Sequence, residues 1–122
     1  MTSKSENING FYAGYMTGAE GTGLAVFIFS EGKITGTDLE GVLFDGLITQ
    51  SETGDHVGRC TVRVPAEVQV IQGVTTGSQS LTYDTPVVIP HRFTSETNIR
   101  IDTPLGPVNL RLHFLRDLGA DQ

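Results

Sequence analysis

Short apolar runs separated by glycines at nearly even intervals fill residues 10–46, which read GFYAGYMTGAEGTGLAVFIFSEGKITGTDLEGVLFDG. Apolar runs of about 5–9 residues bounded by turn residues are typical of antiparallel strands joined by tight reversals. Almost nothing in this segment favours a helix. The segment therefore predicts an antiparallel meander within a small all-β protein.

The same alternation continues to the end of the chain. The last predicted strand places one set of residues inward and the residues between them outward: Val108, Leu110, Leu112 and Phe114 against Asn109, Arg111 and His113. Residues 67–72 could form a strand or one helical turn, and the alternation of Val68 and Val70 against Gln69 favours a strand. The whole chain gives about eight or nine strands. This number is enough to close a barrel. We predict one antiparallel up-and-down β-barrel, with a β-sandwich as the structural alternative.

The length of 122 residues fits one domain. Residues 10–118 are predicted to form the barrel domain. Residues 1–9 are polar and are predicted to form a flexible N-terminal tail.

The charge pattern argues against nucleic acid and membrane surfaces as partners. The net charge is −6, and the eight lysines and arginines are scattered along the chain without a cluster. The one cysteine, Cys60, cannot form an internal disulfide, and the first ten residues lack the apolar core of a signal peptide. These features predict a cytoplasmic protein.

The sequence shows no constellation of catalytic or metal-binding residues. The three histidines, His56, His91 and His113, have no metal-ligand spacing. Cys60 shares a predicted strand face with Val62 and Val64, which indicates a buried structural thiol. His56 would lie about 13 Å from it along an extended strand. We therefore predict a protein that is not an enzyme and holds no cofactor or metal.

Six consecutive apolar residues occupy positions 24–29. Such a run suits a strand that is covered on both faces. Inside a barrel only one face is covered by the interior, so a second copy of the chain is the simplest cover for the other. The run predicts a homodimer whose interface includes Leu24, Val26, Phe27, Ile28 and Phe29.

A second set of residues is predicted to line a cavity or to face a partner: Tyr12, Tyr15, Asp45, Glu52 and Asp55. Asp45 lies on the same strand face as Leu43 and Leu47. If that face points inward, Asp45 is a buried or cavity-lining group that needs a partner. If it points outward, the two leucines are exposed and imply an interface.

Residues 10–46 resemble the opening of the GrlR-type proteins, small negative regulators of type III secretion genes in enteric bacteria. The shared features are the start Gly10-Phe11-Tyr12, a glycine-rich turn before an apolar strand, the strand end KITGTD and an aromatic segment that ends in Gly46. The later segments VRVP (62–65) and VVIP (87–90) fit the same layout. The resemblance covers most of the chain.

The resemblance implies a lipocalin-like barrel that forms homodimers and represses by sequestering a transcriptional activator. In that family four consecutive acids after the fourth strand are implicated in binding, whereas residues 50–55 here hold two separated acids, Glu52 and Asp55. We therefore expect a non-enzymatic regulator that acts through protein–protein contact. The alternative is a carrier of a small apolar molecule or lipid, which predicts a cavity of a few hundred cubic ångströms.

Overall fold

The structure, a computed structural model, describes residues 7–119 and consists of eight antiparallel strands. Their bounds are β1 Gly10–Gly18, β2 Gly21–Ser30, β3 Lys33–Asp38, β4 Leu43–Gln50, β5 His56–Val64, β6 Leu81–Ile89, β7 Ile99–Thr103 and β8 Gly106–Arg116. The described residues contain no helix, and therefore none of membrane-spanning length.

All eight strands belong to one sheet in the order β6-β5-β4-β3-β2-β1-β8-β7. The two ends of that order, β6 and β7, lie against each other, and the Thr85 hydroxyl donates a hydrogen bond to the Asp102 carbonyl oxygen across the seam (3.4 Å). The sheet thus curls into a nearly closed up-and-down barrel. The predicted barrel is confirmed, and the predicted β-sandwich alternative is wrong because one sheet holds every strand.

The faces of the strands follow the alternation in the sequence. On β8, Val108, Leu110 and Leu112 are buried, while Arg111 and His113 are exposed. The prediction for this strand is confirmed. Residues 67–72, whose alternation favours a strand, join no barrel strand. They contribute Gln69 to an isolated bridge with Thr75.

Aromatic rings fill one end of the barrel, which we call the closed end. Tyr12 packs against Phe29, Phe93 and Phe114, with ring centroids 5.2, 6.0 and 5.6 Å away. The Tyr12 hydroxyl donates a hydrogen bond to the Ile8 carbonyl oxygen (2.8 Å). Three bulky partners around one buried ring leave no room for a ligand here.

Ile8 is buried at the closed end, although residues 1–9 were predicted to form a flexible tail. That prediction is wrong for Ile8 because its side chain joins the core and its carbonyl oxygen holds Tyr12. Residues 1–6 of the predicted tail lie outside the described residues.

Two glycines allow Phe27 to lie flat against the inner wall. Gly14 on β1 and Gly36 on β3 flank β2, and the Phe27 ring covers both positions. A methyl group at Gly36 would lie 2.6 Å from a Phe27 ring carbon. The close approach of ring to backbone therefore depends on glycine at these sites.

The other end of the barrel, which we call the open end, carries the β1–β2, β3–β4 and β7–β8 turns and the crossing segment, residues 65–80. The crossing segment folds on itself: the Val70 backbone N–H bonds the Val74 carbonyl oxygen (2.9 Å). The Glu20 N–H bonds the Ile71 carbonyl oxygen (2.8 Å), which fastens the segment to the β1–β2 turn. The segment thereby lies across part of the open end.

We predict that Leu112→Asp prevents folding, because this side chain is 1% exposed in the core. An unpaired buried carboxylate costs several kcal/mol, against a total stability of about 5–15 kcal/mol. Circular dichroism and urea unfolding measure the effect. The control His113→Asp places the same charge on the exposed face of β8 and should fold. Equal stability of the two variants would contradict the assignment of faces.

Candidate functional site

The barrel encloses a cavity of about 520 Å³. It extends from the crossing segment down to the aromatic residues of the closed end. Inward-facing side chains from most of the strands line it, and they are mainly aliphatic. Representative lining residues are Phe27, Phe29, Ile34, Val62, Val64, Val87, Leu110 and Leu112.

The cavity reaches the surface between the β3–β4 turn and the first half of β2. Leu39, which is 90% exposed, and Leu24, which is 45% exposed, both line it. Asp38 and Glu40 line the same opening. The Asp38 carboxylate accepts hydrogen bonds from the backbone N–H groups of Glu40 and Val42 (2.9 Å each), which shapes the turn. An apolar molecule therefore meets exposed leucines and two acidic residues at the mouth.

Three polar side chains gather beneath the crossing segment on the side opposite the β3–β4 turn; we call Gln72, Tyr83 and Thr103 the polar cluster. The Gln72 amide donates hydrogen bonds to the Tyr83 hydroxyl (3.3 Å) and to the Thr103 hydroxyl (3.1 Å). All three residues line the cavity. Burial raises the pKa of Tyr83, against the opposing effect of its polar contacts with Gln72 and Thr103, so its hydroxyl stays protonated at neutral pH.

Cys60 lines the middle of the cavity on β5 and is buried, as predicted for a structural thiol. Burial raises the pKa of this thiol to about 11. The thiol is therefore protonated at neutral pH and is a poor nucleophile. Its contribution to the site is a small apolar surface that leaves space in the barrel.

The predicted dimer interface on β2 divides between two faces. Leu24, Val26 and Ile28 point outward, whereas Phe27 and Phe29 are buried inside the barrel. The prediction is wrong for Phe27 and Phe29, because a strand turns alternate residues to opposite faces and both share the inward one. An uninterrupted apolar run carries no alternation from which the inward set can be read.

The two tyrosines predicted for a cavity or a partner surface also separate. Tyr12 is fully buried among the rings of the closed end and lies outside the cavity lining and the surface, so its assignment is wrong. Tyr15 is exposed on the outer face of β1, opposite Leu24. It does not line the cavity, and a role toward a partner stays a prediction.

Asp45 points outward, which resolves the alternative left open by the sequence. It lies in a shallow depression on β3–β6 beside Lys33, Arg59 and Asp84. Leu43 and Leu47 on the same strand face are exposed, as expected for the outward orientation. Asp45 is therefore not a cavity residue; whether it faces a partner stays a prediction.

The loop at residues 51–55 holds the other two predicted acids at the closed end. The Asp55 carboxylate accepts a hydrogen bond from the His91 backbone N–H (2.9 Å) and so joins this loop to the β6–β7 loop. Glu52 is exposed on the same loop. Neither residue lines the cavity, because the loop lies at the other end of the barrel.

His56, the first residue of β5, is a buried titratable residue. Its side chain is 4% exposed, and its Nε2 atom has no hydrogen-bond partner among the described residues. Burial lowers the pKa of His56, the nearby His91 lowers it further, and Asp55 opposes the change. His56 is therefore held neutral in the folded protein. Its place on β5 next to a polar loop gave no signal of this burial.

Within residues 7–119, no group of three or more histidine, cysteine or acidic side chains is arranged to hold a metal ion. No protein-family model, curated protein or solved structure matches this chain.

We predict that stability falls as the pH drops from about 7 to about 5. The pKa of His56 is lower in the folded chain than its usual value of 6.5, so the unfolded chain binds the additional proton in this range. The free energy of unfolding therefore decreases with falling pH, by at most about 1.4 kcal/mol per pH unit for one group.

Urea unfolding at several pH values measures this slope. His56→Leu should reduce it, while the control His113→Leu, on the exposed face of β8, should retain it. An unchanged slope in His56→Leu would contradict the assignment to His56.

Proposed function

We propose that this protein binds a small apolar molecule inside its barrel. The cavity of about 520 Å³ is the observation that supports the proposal. Ligand pockets in proteins occupy about 300–1,000 Å³ and are lined mainly by apolar side chains with a few polar groups. An eight-stranded barrel is just wide enough either to be filled by side chains or to hold one small ligand.

The distribution of side chains favours a ligand over a solid core. The closed end is packed with rings, whereas the wall of β5 and β6 presents Cys60, Val62, Thr85 and Val87 to the cavity. An apolar molecule that enters this space loses its contact with water and gains contacts with the aliphatic wall. The exposed residues Leu24 and Leu39 supply an apolar path from the surface.

We predict that Val87→Phe abolishes or weakens binding by about tenfold or more, because the added ring occupies the cavity. Binding is measured by the fluorescence of N-phenylnaphthylamine, a neutral apolar reporter. The control Val88→Phe makes the same change at the next residue, which points outward and is 51% exposed. Circular dichroism verifies that both variants fold. Lack of binding by the unaltered protein, or equal binding by all three proteins, would contradict the proposal.

A second candidate function is that of a non-enzymatic regulator that acts through protein–protein contact, as the resemblance to the GrlR-type proteins implies. Strands β1 and β2 contain no charged residue, and their outer faces place Tyr15 beside Leu24 and Phe11 beside Ile28. This charge-free surface supports self-association, since interface centres are depleted of charged residues. The acidic residues Glu52 and Asp55 lie far from it, at the closed end. The lone buried thiol suits the reducing cytoplasm.

We predict a dimer in solution that Val26→Glu converts to a monomer, because Val26 is at the centre of the charge-free surface and is 44% exposed. In a dimer that covers this surface, the introduced glutamate carboxylate would lose its contact with water and gain no counter-ion, which would destabilise the dimer. Light scattering at micromolar concentration measures the mass. The control Val88→Glu changes an exposed valine on β6, away from this surface, and should leave the dimer intact. A monomeric unaltered protein would remove the second candidate.

A further inference from the structure

The polar cluster has hydrogen-bonding capacity that the protein itself does not use. The Thr103 hydroxyl donates to the Gly106 carbonyl oxygen (2.6 Å), and its oxygen accepts from the Gln72 amide and from the Leu105 backbone N–H (3.2 Å). The acceptor positions of Thr103 are therefore occupied. The Gln72 amide nitrogen faces both hydroxyls and donates to each of them.

Within the polar cluster, the Tyr83 hydroxyl can donate a hydrogen bond toward the cavity. Its oxygen accepts from the Gln72 amide. Its hydroxyl also lies next to the Thr103 hydroxyl, but the two acceptor positions of Thr103 are taken by Gln72 and Leu105, so the Tyr83 hydrogen can turn to an oxygen in the cavity. The residue lines the cavity near the start of β6, at the open end. A ligand oxygen placed beneath the crossing segment can accept this hydrogen bond.

The charges around the cavity exclude one class of head group. No lysine, arginine or histidine is among the described residues that line it, whereas Asp38 and Glu40 lie at its mouth. A ligand carboxylate would have no cation to pair with and would face two acids. Taking such an anion out of water without a partner is strongly unfavourable.

The position of the polar cluster determines the orientation of a bound ligand. The cavity floor is formed by residues such as Phe29 and Leu112, next to the rings of the closed end, and the polar cluster lies at the opposite end. From Tyr83 to Ile89 the wall of β6 extends for six residues, or about 20 Å. An elongated molecule therefore places its apolar end deep in the barrel and its polar group near the crossing segment.

We propose that the cavity selects uncharged, elongated amphiphiles whose polar end presents an oxygen acceptor, such as a long-chain alcohol or ester, and that the Tyr83 hydroxyl donates a hydrogen bond to that oxygen. Gln72 acts as a positioning residue, because its two hydrogen bonds orient the hydroxyls of Tyr83 and Thr103. This inference rests on the proposed function of the cavity and adds the chemical class of the ligand.

The test is displacement of N-phenylnaphthylamine, whose polar group is an N–H and not an oxygen, by decanol, methyl decanoate and decanoate at neutral pH. The three competitors share a chain and differ in the head group. Decanol and methyl decanoate should displace the reporter, and decanoate should bind at least about tenfold more weakly. Displacement by decanoate as effective as that by decanol would overturn the proposed selectivity.

The role of Tyr83 is tested by Tyr83→Phe, which removes the hydroxyl and keeps the ring. The affinity for decanol should fall about three- to tenfold while the affinity for the reporter stays unchanged. Tyr15→Phe, on the outer face of β1, is the matched control and should bind decanol like the unaltered protein. Unchanged decanol affinity in Tyr83→Phe would overturn the assignment.

The two levels of the proposal fail in different ways. If the unaltered protein binds the reporter but the head group and Tyr83 make no difference, the inferred ligand class is wrong and the cavity remains a binding site. If the unaltered protein does not bind the reporter, the proposed function and the inference are both overturned.

Discussion

The hollow barrel depends on small inward-facing side chains along part of its wall. Strands β5 and β6 turn Cys60, Val62, Thr85 and Val87 toward the interior. The opposite wall includes Gly14 and Gly36, whose positions are covered by the single ring of Phe27. A barrel of eight strands has little space to spare, so the sizes of these side chains decide whether it is filled or empty.

The two ends of the barrel differ in the side chains that they place inside it. At the closed end, Tyr12 and its aromatic neighbours form a packed cluster, and the tyrosine hydroxyl is satisfied by Ile8. At the open end, the crossing segment brings Gln72 to Tyr83 and Thr103. The result is a mainly apolar interior with a cluster of polar side chains near the open end. This arrangement links the packing of the strands to the polarity of the ligand that we propose.

Much of the fold was predictable because most strands alternate visibly. The inward set of β8 follows from the period of two, and turn glycines mark the hairpins. The orientation of Asp45 stayed open, because it shares a strand face with two leucines. The faces of Phe27 and Phe29 were not predictable, since the apolar run around them hides the alternation. Ile8 was missed because a single apolar residue in a polar segment gives no periodic signal.

The polar cluster could not be predicted from the sequence. Gln72 and Thr103 are 31 positions apart and meet only because the crossing segment folds over the end of the barrel. The alternation in residues 67–72 favours a strand, which this segment does not form, so the sequence did not indicate which of its side chains would face the cavity. The cavity itself was open as an alternative, because inward aromatic residues can either fill a barrel or line it.

The central claim, that the interior of the barrel is the binding site, is tested most directly by methyl NMR during titration with decanol. Methyl groups of inward-facing Val62, Val87 and Leu110 should shift and saturate together, while those of outward-facing Leu43 and Leu47 should stay in place. Shifts confined to the outer leucines, or no shifts at all, would contradict the account.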